Sequence, residues 1–143
     1  MSFLSALNIA GSGLTAQKLR MDIISENVAN INTTRTPDGG PYRRKMVVFE
    51  AKGNSFEDLF SSALSEGEDP GVRVKQVIED ETDFSMVYDP SHPDADENGY
   101  VAMPNVDLLK ETIDMMMASR AYEANITSIN NIKLIANKAL EIR

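Results

Sequence analysis

Residues 3, 7, 10, 14, 17, 21, 24, 28 and 31 are Phe, Leu, Ala, Leu, Gln, Met, Ile, Val and Ile, separated alternately by four and three positions. That spacing returns to one side of a helix every seven residues. It predicts a long helix that buries a single seam against a partner helix. Gln17 is the one polar member of the seam, and Ser2 is placed to cap its start. Asn32-Thr33-Thr34, followed by Pro37 and Gly39-Gly40-Pro41, ends it. A helix over residues 1–32 would run about 45 Å.

The other end of the chain has the same character. Leu109, Ile113 and Met116 begin a stripe that Tyr122, Ile126, Ile129, Ile132, Ala136 and Ala139 continue after a phase shift. Asn105, preceded by Pro104, is the expected cap, with Asp107 in the first turn near the positive end of the helix dipole. This helix, over 106–142, would be about 55 Å long. Neither helix is held up by propensity. The first contains Gly11, Gly13, Asn8, Asn27 and Asn30, and the second Asn125, Asn130, Asn131 and Asn137. Packing must do the work. Yet Leu19 and Ile23 lie off the first seam, and Met115, Met117 and Ile135 widen the second. One helix pair cannot cover that much apolar surface, so the surplus points to other copies or related chains. Gly11 and Gly13 would let another backbone approach closely.

Between the ends, Lys45–Ala51, Val72–Ile78, Phe84–Tyr88 and Gly99–Met103 have the β-branched and aromatic content of short strands. The stretch 53–71 reads either as a short helical face of Phe56, Leu59, Phe60 and Leu64 or as a mobile loop. The expected fold is mainly α with a small β-rich middle. Its parts are an assembly helix at 1–32, a β-rich or extended segment at 33–105 and a second assembly helix at 106–143. The two helices should pack as a coiled-coil-like pair.

Charge separates the same regions. Residues 1–32 and 106–143 together hold 7 acidic and 7 basic residues, whereas 33–105 holds 15 acidic and 7 basic ones. An acidic middle argues against nucleic acid and against anionic lipid, which both need a basic surface. No run of about 18 apolar residues is present, so no membrane insertion is expected. The first residues lack the charged start of a secretory signal. Without Cys there is no disulfide framework or thiolate metal site, and the single His92 lies between prolines. No phosphate-binding loop, catalytic triad or cofactor motif is present, so no enzyme is expected.

One segment does suggest a ligand. Asp94, Asp96, Asn98 and Gly99 fit the opening of a calcium loop. The twelfth position, however, is Asn105 rather than a bidentate Glu, and the approach through Pro90 and Pro93 is not helical. A calcium-responsive binding module using 94–99 is therefore the rival reading, and an ordinary turn the favoured one.

Two motifs carry a resemblance. Ser12-Gly13-Leu14 followed by Asn27-Val28-Ala29-Asn30-Ile31-Asn32-Thr33, together with Ser119–Asn125 (SRAYEAN) preceded by Asn105-Val106-Asp107, resemble the paired terminal regions of bacterial flagellar rod and hook proteins. TRTPDGGPYRRK and VYDPSHPDADENGYV narrow the resemblance to a proximal-rod branch, whereas 53–71 fits no pattern there. The resemblance implies a structural subunit of the basal-body rod in the periplasmic space, exported without a cleaved signal. It implies assembly with its own copies and related rod subunits into a tubular drive shaft around the export channel. The ring–rod adaptors and the flagellar type III export apparatus are the other implied partners. The expected assembly residues are Leu7, Gly11, Gly13, Leu14, Met21, Ile24 and Val28, with Leu109, Ile113, Met116, Tyr122, Ile126 and Ile129. Asn27, Asn30, Arg120 and Asn125 are the polar positions expected to set register. In dilute solution the ends should be largely disordered and should order on docking.

Overall fold

The computed structural model describes residues 3–37, 39–52 and 71–141. Helix α1 spans Phe3–Ala29 and helix α2 spans Leu108–Glu141. At the usual rise they are about 40 and 51 Å long. Between them lie four strands: β1 (Lys45–Ala51), β2 (Val72–Glu79), β3 (Ser85–Tyr88) and β4 (Tyr100–Met103). β1 and β2 form one antiparallel pair, running from Lys45 opposite Glu79 to Ala51 opposite Val72, with a bulge between Val48 and Phe49. β3 and β4 form a second, with Tyr88 opposite Tyr100. This is the expected mainly α fold with a small antiparallel middle.

The helices run antiparallel, since Gly13 meets Asn125, Arg20 meets Asp114 and Asn27 meets Glu111. The seam between them follows only part of the one the large apolar residues mark. On α2 the face turned inward is Glu111, Met115, Ala118, Tyr122, Asn125, Ile129, Ile132 and Ala136, all buried or half-buried and again spaced by four and three. The expected stripe of Leu109, Ile113 and Met116 faces outward, at 70%, 46% and 51% exposure. On α1, Ala10 and Ile24 are buried as expected, but Leu7, Leu14, Met21 and Val28 are only half-buried beside the seam. Charge and size decide this. Glu111 must point inward to meet Arg44 and Asn27. Small residues let the backbones approach, and Ala10, Ala16 and Ala118 are among the most buried apolar residues. A Cβ on Gly13 would stand only 3.0 Å from the Asn125 amide.

The start of α2 also differs from expectation. The helix begins one residue after Asp107, whose Oδ1 accepts from the Leu109 N–H at 2.8 Å and the Lys110 N–H at 3.3 Å. Asp107 is thus the cap. Asn105 is used elsewhere: its Oδ1 accepts from the Arg44 N–H, and its Nδ2 donates to the carbonyls of Asp80 and Thr82. The suggested Ser2 cap and the helix-or-loop question at 53–70 lie outside the described residues.

Candidate assembly site

Ser12 and Gly13 show why the first motif needs its small residues. The Ser12 hydroxyl donates to the Ile9 carbonyl and accepts from the Val72 N–H at 3.0 Å, tying α1 to the start of β2. Gly71 makes room for that contact, because a Cβ there would sit 2.7 Å from the Ser12 oxygen. One position on, Gly13 lets Asn125 of the second motif close against α1. Gly11 has nothing within 4 Å of its Cβ direction among the described residues, so its surface is open.

Asn27 is the centre of a larger junction. It is 1% exposed and uses its whole amide. Nδ2 donates to the Lys45 carbonyl at 2.9 Å and to Glu111 Oε2 at 3.0 Å. Oδ1 accepts from the Lys45 N–H and from the Tyr42 hydroxyl, both at 2.9 Å. Helix α1, the loop before β1 and helix α2 are therefore joined through one side chain. Asn30 closes the end of α1: its Nδ2 donates to the Glu26 carbonyl, and its Oδ1 accepts from the Thr33 hydroxyl.

Arg44 is the charged half of the junction. Its Nε donates to Glu111 Oε1 at 2.6 Å, and its terminal nitrogens reach Asp114 at 3.3 Å and Asp80 at 3.5 Å. Glu111 is fully buried, so both its oxygens are satisfied inside the protein, one by Arg44 and one by Asn27. Burial opposes the charge on Arg44, but its hydrogen bond to Glu111 and the charges of Glu111, Asp114 and Asp80 hold the guanidinium above its ordinary pKa. The backbone N–H of Thr82 holds Asp80 below the ordinary carboxylate value, and Arg44 adds to that. Arg20 pairs with the other oxygen of Asp114 and extends the network along α1.

Tyr42 responds to the same surroundings. Burial, reinforced by the nearby charges of Glu26, Glu111 and Glu79, pushes its phenol from 10.0 up to about 12. Below pH 10 the phenol is protonated in both folded and unfolded chains, and its contribution to stability is complete. Between 10 and about 12 the unfolded chain ionises while the folded one does not, so stability falls as pH rises. A Tyr42→Phe chain should lose less stability over that window than the native chain, as measured by urea unfolding at stepped alkaline pH.

The expected register residues thus divide. Asn27, Asn30 and Asn125 are engaged inside one chain, whereas Arg120 is exposed. Tyr122 and Ile129 lie on the inner seam, and Ile126 is 38% exposed. Arg44, Glu111 and Tyr42 were not among the expected site residues. The polar run Tyr42-Arg43-Arg44-Lys45 was a signal for them, but its partner on α2 is a Glu indistinguishable by pattern from a surface one.

The apparent calcium loop has other uses for its carboxylates. Asp94 accepts from the Thr34 hydroxyl at 2.9 Å and pairs with Arg35, fastening the loop after α1 to the loop before β4. Asp96 Oδ1 accepts from the N–H groups of Asn98 and Tyr100, and Gly99 takes the positive φ of the turn at 80°. No group of three His, Asp or Glu side chains among the described residues is placed to hold a metal. The rival reading has no support.

Two long helices are thus pinned by a polar junction, with apolar side chains left exposed along α2. Residues 7–35 match the family model "Flagella basal body rod protein", and residues 97–142 match "Flagellar basal body rod FlgEFG protein C-terminal". These spans carry the Ser12 and Asn27 motif and the whole of α2. Flagellar basal-body rod protein FlgC of Bacillus subtilis (strain 168) is 47% identical over 148 residues, covering 99% of each chain. FlgC of Borreliella burgdorferi is 46% identical over 149 residues, with 99% of this chain and 98% of the relative covered. FlgC of Escherichia coli O157:H7 is 40% identical over 142 residues, with the same shares. The chain belongs to the FlgC family of flagellar basal-body rod proteins.

Proposed function

We propose that the chain is a non-enzymatic structural subunit of the proximal flagellar rod, assembling through its terminal helices into the tubular shaft that transmits torque around the export channel. The observation that carries this is the outward apolar face of α2. Leu109, Ile113, Met116 and Met117 are exposed near its start, and Leu134 and Ile135 near its end, at 57% and 66% for the last two. Faces of this kind on a helix mark interfaces. On α1, the half-buried Leu7, Leu14, Met21 and Val28 and the open Gly11 stand ready to be completed by neighbouring subunits. No helix among the described residues is long and apolar enough to cross a membrane, so these faces are suited to protein partners.

The mechanism is ordering that spreads from the polar junction. The junction holds the second half of α1 to the first half of α2 in the single chain. The far end of α2 is half-buried on one side only, through Ile129, Ile132 and Ala136, and docking against neighbours supplies the rest of its packing. Other copies and related rod subunits are the partners. The export apparatus that delivers the chain and the adaptors at the rod base are further contacts in the same reading, which places the chain in the periplasmic rod.

Changing both Leu134 and Ile135 to Asp tests this. The purified chain should keep its helix content, because neither residue is buried, while cells carrying it should build no rod and not swim. Hydrogen exchange reads the same step, with 126–141 fast in the free chain and slow in isolated rods. Normal swimming by the double variant would overturn the proposal.

A further inference from the structure

Three methionines stand in a row on α2, Met115-Met116-Met117, and the helix sends them to different surroundings. Met115 is half-buried on the inner side. Met116 and Met117 are 51% and 59% exposed, near the exposed Ile113. Elsewhere Met21, Met46 and Met103 are half-buried, and Met86 on β3 is 56% exposed. The chain has no Cys, so no thiolate of its own competes with these thioethers for an oxidant.

We infer that Met116 and Met117 form a site of reversible oxidation by hydroperoxides, and that their sulfoxides block assembly of the free subunit. This rests on the proposed rod assembly and gives the outer face of α2 a chemical control. The Sδ lone pair attacks one oxygen of the peroxide. The O–O bond breaks, its electron pair stays with the other oxygen, and the proton passes there too. Sulfur loses two electrons and gains an oxygen, while hydrogen peroxide gains two electrons and leaves as water. A methionine sulfoxide reductase supplied with a dithiol reverses the step, giving back the thioether, a disulfide and water.

The consequence follows from exposure. In the single chain both side chains stand in water, so a sulfoxide is solvated there and the fold is spared. An interface that covers them must instead strip water from two strongly polar groups, and an apolar contact offers them no hydrogen bond. Met115 and Met86 are the comparisons within the same molecule. Met115 shares the sequence position but is half-buried, and Met86 shares the exposure but lies off α2.

The free chain is treated with dilute hydrogen peroxide, and each methionine is followed by peptide mass spectrometry. Met116 and Met117 should gain oxygen at least about tenfold faster than Met115 and Met21, and about as fast as Met86. The two epimer-specific sulfoxide reductases with a dithiol should remove it again. In isolated rods Met116 and Met117 should react at least about tenfold more slowly than in the free chain. In cells, Met116→Gln with Met117→Gln puts polar groups at both positions and should cut rod yield roughly tenfold, whereas Met116→Leu with Met117→Leu should build normal rods. Both double variants should keep the native helix content by circular dichroism. Equal reactivity of Met115 and Met116 in the free chain, sulfoxides that the reductases do not remove, unchanged reactivity in rods, or normal rods from the Gln pair would each overturn this inference. So would loss of rods with the Leu pair, since shape rather than polarity would then decide. Rod assembly itself is judged separately, by the chain with Asp at 134 and 135.

Discussion

Replacing Arg44 with Ala will lower folding stability by about 3–5 kcal/mol, the usual consequence of removing one partner of a buried ion pair. The loss is not the strength of one salt bridge. Glu111 has no exposed surface, and Arg44 is the cation that faces it. Without the guanidinium, a carboxylate remains in the protein with only the Asn27 amide to meet it. Asp114 and Asp80 lose the same cation and come to repel Glu111. The measurement is urea unfolding of the purified chain, followed by helix circular dichroism. A paired replacement separates burial of charge from loss of shape. Arg44→Met with Glu111→Leu removes both charges and keeps much of the volume, and should recover most of the loss. A cost below about 1 kcal/mol for Arg44→Ala would mean that Glu111 reaches water in solution and that the junction is not what holds the helices.

That junction marks where sequence reading stops. The helices, the four strands and their order follow from local pattern: heptad spacing at the ends, β-branched runs between, and glycine and proline at the breaks. Even the strand bounds, 45–51 and 72–79, fall within about a residue of expectation. The facing of α2 does not follow. By hydrophobicity, Leu109, Ile113 and Met116 outrank Glu111, so an apolar seam is drawn through them. The choice is made by Arg44, 67 positions away in sequence, and no local rule carries that distance. Small residues mislead in the same way. Ala118 and Gly13 contribute little to a hydrophobic pattern, yet the helices meet there because little side chain keeps them apart. The start of the expected stripe, Leu109, Ile113 and Met116, therefore faces away from α1, whereas Tyr122, Ile129, Ile132 and Ala136 of its continuation lie on the inner seam.

The cap at Asp107 has the same origin. Asn105 and Asp107 are both good capping residues, and local preference does not choose between them. Asn105 is drawn away because the Arg44 N–H and the carbonyls of Asp80 and Thr82 converge on it. Its amide then holds the end of β2 to the loop before α2, leaving the cap to the next available carboxylate.

Asn27→Leu should prove as costly as Arg44→Ala, about 3–5 kcal/mol, and harder to repair. Two of the four partners of Asn27 are main-chain groups, the N–H and carbonyl of Lys45 at the start of β1. No side-chain replacement elsewhere removes them, and each buried polar group left unpaired costs about 1–3 kcal/mol. The charge pair differs in this respect, because both of its members can be made apolar. In the Arg44→Met, Glu111→Leu background, Asn27→Leu should therefore still cost at least about 2 kcal/mol by urea unfolding. If that background absorbs the whole loss, Asn27 serves only to satisfy Glu111, and its hold on β1 is incidental. Asn27→Asp sharpens the distinction. It keeps the shape and the oxygen that accepts from Tyr42 and Lys45, but turns the donor shared by Glu111 and the Lys45 carbonyl into a second carboxylate oxygen. Replacing Glu111 by Gln should remove the charge repulsion and so part of the loss, while the Lys45 carbonyl stays unpaired. Partial rescue by Glu111→Gln of Asn27→Asp, but not of Asn27→Leu, would show that one side chain sets helix register through its amide and anchors the first strand through the main chain.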